Sequence, residues 1–153
     1  MDPLKYQTEF FEIEYDTIRG MEYAPVQTMG DTSYFTLFSP VDCIIDKTEV
    51  RTIRTGISLK LPVVVDQRKS TNVINVSKYS IGALVAPHSL MTDNGLVHVG
   101  SSFVIPGLEI DLVFQNHGKK SFMIKKGFPI ANLTFVMVPN VHLVPRMMML
   151  NVD

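Results

Sequence analysis

Apolar and polar side chains alternate along this chain with a period of two residues. Segments 34–38, 52–54, 57–61 and 72–76 alternate or nearly so and are rich in β-branched and aromatic residues, which predicts half-buried strands. Longer apolar runs at 81–86, 109–114 and 130–138 predict strands that cross a barrel or sandwich core. Turn signals separate them: Ser39-Pro40, Thr55-Gly56, Leu61-Pro62, Asp93-Asn94-Gly95, Pro106-Gly107, Asn116-His117-Gly118 and Lys126-Gly127. Short strands at about 8–12-residue spacing predict an all-β sandwich or barrel. Little helix is expected, one short turn around 89–94 excepted. Near the start, Phe11, Ile13 and Tyr15 fall on one face, so 10–15 is read as a strand, with a helix over 4–18 as the alternative. The most polar stretch, 66–71, predicts an exposed loop. Repeats, low-complexity segments and linkers are absent, so residues 1–153 are read as one domain, with 139–153 a carboxy-terminal arm.

Composition narrows the function. The chain has 153 residues, about one domain's worth. Its hydrophobic fraction is 46% and only 19% of its residues are charged, so it has the means to build a core. A net charge of −1 argues against the basic footprint of a nucleic-acid binder and against a polybasic membrane anchor. No apolar run is long enough to span a bilayer, and the first residues lack the pattern of a secretory signal. The single cysteine, Cys43, lies in an apolar stretch and is read as a buried thiol acting as a small hydrophobe. With no disulfide framework, an intracellular location is expected.

The chemical inventory is thin. Phosphate-loop, dinucleotide and nucleophile-elbow motifs are missing. His88, His98, His117 and His142 form no zinc spacing, and each is read as a polar surface or interface group. His98 should face away from Val97 and Val99. Glu109 and Asp111 share one face of a strand whose Ile110, Leu112 and Phe114 should turn inward; an acid/base pair is the alternative to a solvated outer face. Lys119, Lys120, Lys125 and Lys126 flank a strand and read as hairpin solubility, with a weak anionic-ligand site as the alternative. No metal or cofactor is expected.

Five pieces in order carry a resemblance. Residues 109–117 and 122–135, with Ile124-Lys125-Lys126-Gly127-Phe128-Pro129-Ile130-Ala131-Asn132-Leu133, are similar to the late core of trimeric dUTPases, in which a G-E strand ends in N-H and I-K-K-G-D-R-I-A-Q-L follows. Upstream, Thr55-Gly56-Ile57-Ser58-Leu59-Lys60-Leu61-Pro62 resembles the family's T-G-I/L-x-L/V-x-I/L-P. Leu37-Phe38-Ser39-Pro40 resembles the strand after its first motif, Val85-Ala86-Pro87-His88-Ser89 its A-P-R-S-G, and Tyr23-Ala24-Pro25 the site of a Leu-Pro. The resemblance covers about residues 10 to 138. It implies a distorted jelly-roll barrel, a homotrimer with sites between subunits, and a carboxy-terminal arm that covers a neighbour's site.

The same resemblance implies that the family's site positions are replaced. Thr36 stands at the first motif's Asp, His88 at the second motif's phosphate-binding Arg beside Ser89, and Leu90 at its small residue. Phe103 stands at the water-activating Asp and Pro106 at the Tyr beneath the deoxyribose; Asn132 and Pro129 replace the fourth motif's Gln and Arg. The glycine-rich fifth motif has no counterpart, since no glycine follows Gly127. A general base contributes about 10²–10⁴ in rate, so loss of that acid predicts a chain that is no enzyme. An apolar plug would then fill the old cleft.

The expectation is therefore a dUTPase-like trimeric scaffold of viral type, similar to adenoviral early-region proteins, that binds itself and a host or viral protein. Neither nucleotide, nucleic acid nor membrane is expected as a partner. Met147, Met148, Met149 and Leu150 are the candidate contact, with packing onto the neighbouring subunit as the alternative. Two other functions stay open: a divergent dUTP hydrolase using Asp93, Glu109 or Asp111, and a virion structural protein.

Overall fold

Residues 12–18, 26–27, 34–66, 77–139 and 141–147 are described by a computed structural model. Among them, the alternating segments form eleven strands and one short helix. In chain order these are β1 (Tyr15–Thr17), β2 (Val26–Gln27), β3 (Tyr34–Phe38), β4 (Cys43–Ile45), β5 (Val50–Leu59), β6 (Val63–Asp66) and β7 (Ser77–Pro87). After them come α1 (Ser89–Asp93), β8 (Leu96–His98), β9 (Glu109–Asn116), β10 (Phe122–Ile124) and β11 (Pro129–Pro139). One sheet has the order β1-β5-β9-β8, the other β2-β3-β11-β7-β6, and β4 pairs with β10 as a ribbon. All pairings are antiparallel. The all-β barrel read from the periodicity is what forms.

The core lies between the sheets. In β9, Ile110, Leu112 and Phe114 turn inward while Glu109 and Asp111 face out, as the alternation predicts. Leu37 and Ile53 meet them from β3 and β5, and Leu133 and Val85 from β11 and β7. Phe35 and Phe135 close one edge with an edge-to-face contact at 5.7 Å.

Two local readings need correcting. Thr55-Gly56 is no turn: β5 runs through it, with its register against β9 shifting between Arg54 and Ser58. Gly56 adopts φ 73°, which a Cβ would oppose, so the glycine serves a bulge. Thr55 stabilises that bulge, donating its hydroxyl to Ile110 O at 2.6 Å and accepting Ile57 N–H at 3.2 Å. At the amino terminus the strand among residues 12–18 is Tyr15–Thr17, none of those residues is helical, and residues 10–11 of the expected strand lie outside the described residues. The three residues of β1 are an exposed edge, too short to bury a face. The polar loop past Asp66 and the strand expected over 72–76 lie outside the described residues.

Candidate functional site

Three neighbouring strands bring several of the singled-out positions together. Thr36 of β3 is in register with Asn132 of β11, and Asn132 with Ala86 of β7. Leu37, Leu133 and Val85 point into the core, so these three side chains form a row on the outer face, with adjacent strands about 4.8 Å apart. Past the end of β7, His88 donates its N–H to Ile130 O at 3.0 Å and accepts Leu90 N–H on Nδ1 at 3.1 Å, capping α1. Ser89 opens the helix and is exposed.

Phe103 reaches β7 from the strand's other edge. It bridges Leu84, while Val85 N–H donates to Ser102 O at 2.8 Å and Val104 N–H to Ala83 O at 3.0 Å. Thr36, Asn132, His88 and the Phe103 backbone thus gather around the last residues of one strand. Pro106 sits beyond them, in a turn closed by Leu108 N–H on Ile105 O at 3.2 Å and tied to β5 through Gly107 N–H on Leu59 O at 2.9 Å. The apolar plug does not form within the subunit. Pairing with β7 turns Val104 onto the core and Phe103 into water, where it is 76% exposed. Ile105 and Leu108 are exposed too, and no charge lies between His98 and Glu109. Met147 is 92% exposed; Met148, Met149 and Leu150 lie outside the described residues.

The acids of β9 lie on the outer face of the other sheet. Glu109 accepts Nε and Nη2 of Arg54 at 3.2 and 2.8 Å, and also Gly56 N–H at 3.1 Å, so it clamps the β5 bulge. Asp111, in register with Arg54, has its carboxyl pushed above the ordinary range by partial burial and by the Glu109 charge, against a smaller opposing pull from Arg54. Beside the β4–β10 ribbon, an open cavity of about 510 Å³ is lined by Asp42, Cys43, Ile44, Arg51, Met123 and Lys125. Cys43 is half-buried there, and burial pushes its thiol up, which suits the small-hydrophobe reading. Among the described residues, no three His, Cys, Asp or Glu side chains come together as metal ligands.

One polar residue was misread. His98 faces away from Val97 and Val99, as expected, but it is the histidine that turns inward and the valines that meet solvent. Being in phase with buried Leu96 was the available signal.

A two-sheet antiparallel barrel with its candidate chemistry collected at the end of one central strand defines the class. Residues 26–151 match the dUTPase family model, and the chain belongs to the dUTPase family. Among solved structures it is similar to the EIAV dUTPase, with TM-score 0.61 and 18% identity over 93% of this chain and 100% of that one. It is also similar to a variant of the Staphylococcus bacteriophage 80alpha dUTPase solved with dUpNHpp, with TM-score 0.70 and 13% identity over 93% and 92%. A further structure of the 80alpha dUTPase with dUpNHpp matches with TM-score 0.64 and 13% identity over 93% and 89%. Among curated proteins, none matches.

The expectation that the chain is no enzyme is overturned. The family it matches is a family of enzymes, and the phage neighbours are dUTPases holding dUpNHpp. The expectation rested on single motif positions, whereas the family match extends over residues 26–151 as a whole.

Proposed function

We propose that this chain acts as a homotrimer of the dUTPase family whose uncharged connection 99–108 and carboxy-terminal arm engage another protein, of host or viral origin, inside the cell. The exposure of Phe103, Ile105 and Leu108 carries the reading, because the barrel has a filled core without them. Grouped solvent-facing apolar side chains mark contact surfaces, and aromatic residues are frequent anchors in them. The 80alpha neighbour is described as controlling transfer of virulence genes by a proto-oncogenic G protein-like mechanism, a precedent for a regulatory task on this barrel. Replacing Phe103, Ile105 and Leu108 together by Ser is expected to leave the trimer folded and to abolish the cross-linked complex that the unaltered chain forms in host lysate. Equal complex formation by both chains would count against the reading.

Hydrolysis of dUTP to dUMP and pyrophosphate is the second reading, favoured by the family match and by the Glu109–Asp111 pair. Incubation with dUTP and Mg²⁺, followed by pyrophosphate release, separates the two. Turnover of about one per second or faster, the ordinary enzymatic range, would make hydrolysis the principal activity.

A further inference from the structure

We infer that His98 is a proton-controlled latch on the connection 99–108. From β8 the ring packs against Phe114, with 5.7 Å between centroids. Its Nδ1 lies 3.0 Å from Val113 O and its Nε2 lies 3.2 Å from Ser101 O. Gly100 lets the connection pass so close that a Cβ there would stand 2.9 Å from His98 Cε1. Both partners are carbonyl oxygens, which only accept. A neutral imidazole carries one N–H, so one of the two contacts then sets a lone pair against a lone pair. The imidazolium carries two N–H groups, and both contacts become charge-assisted hydrogen bonds.

The latch acts at Ser101. Phe103 N–H donates to Ser101 Oγ at 3.2 Å, and Ser102 and Val104 hydrogen-bond to β7, so holding the Ser101 carbonyl holds the start of this paired segment. Val113 O also receives Val99 N–H at 2.8 Å, which fixes the other end of the ring. From β9 the ring meets Val113 and Phe114, and from the connection Gly100 and Ser101, none of them titratable. Arg51 of β5 is in register with Phe114, its guanidinium held by Glu49 at 2.7 Å, and α1, which packs on β8, ends in exposed Asp93. Proton gain pins residues 101–104; proton loss frees the Ser101 carbonyl and loosens the segment that presents Phe103. The inference rests on this geometry and not on what the connection binds.

Amide hydrogen exchange of the full chain, corrected for intrinsic rates and read by NMR at about pH 5.5 and about pH 8, spans the interval in which imidazole ordinarily changes charge. Phe103 and Val104 amides are expected to exchange about tenfold more slowly at the lower pH, the size of one net hydrogen bond. Leu133 in the core should not change. His98→Gln keeps a donor but cannot titrate, so its ratio should fall to one. A ratio of one in the unaltered chain, or a tenfold ratio surviving in His98→Gln, overturns the latch. Should His98→Gln not fold, the ring shifts of His98 in the unaltered chain decide: their titration midpoint must coincide with that of Val104 protection, and a mismatch overturns it equally.

Discussion

Among the described residues, Asn116 makes three side-chain hydrogen bonds from within the core. Its Nδ2 donates to Ile45 O at 2.9 Å and Lys120 O at 2.8 Å, and its Oδ1 accepts Gly118 N–H at 2.8 Å, joining β9 to the β4–β10 ribbon. Asn116→Ala would remove the side-chain partner of three backbone groups, and a loss of about 2–4 kcal/mol is expected in urea unfolding. Asp111 presents the opposite case. Its folded form favours the protonated acid, so its contribution is full below the unfolded value of about 3.9 and is lost as pH rises through the raised folded value. Above that range the ionised carboxylate opposes folding. Asp111→Asn should therefore raise the melting temperature at pH 7 and leave it unchanged near pH 3; calorimetry that found a lower value at pH 7 would contradict this account.

At the scale of elements, β9 was legible and β5 was not. Glu109 and Asp111 set against Ile110, Leu112 and Phe114 have one physical solution, a strand with the three apolar residues inward, and local pattern suffices to find it. Thr55-Gly56 carries the same local signal whether the chain turns or bulges. What decides is the partner: Ile110 O accepts the Thr55 hydroxyl and Glu109 accepts Gly56 N–H, both from a strand more than fifty residues away. Thr55→Val keeps the shape and removes the hydroxyl. It should cost about 1–3 kcal/mol, measurable by thermal unfolding, because Ile110 O and Ile57 N–H lose a buried partner.

For the whole molecule, the issue is how much apolar surface one subunit leaves in water. Leaving aside the connection 99–108, which is assigned to a different partner, Tyr34 and Val138 on the outer face of one sheet and Val50 and Val97 on the other are all exposed. A monomer would carry these as an association hazard, whereas a symmetric assembly covers them. Light scattering should give about three times 17.2 kDa, and a clean monomer would remove the homotrimer from the proposal. Residue order alone determined the all-β class, the inward face of β9 and the family resemblance, because strand periodicity and short motifs are written into consecutive residues. Only the tertiary structure decided which positions meet. Thr36, Asn132 and the residues leading to His88 become neighbours through the order β3-β11-β7, and Phe103 faces water because the bonds of its neighbours Ser102 and Val104 to β7 set the direction of its side chain. Those facts depend on hydrogen bonds between segments far apart in the chain, and a local pattern carries no record of its distant partner.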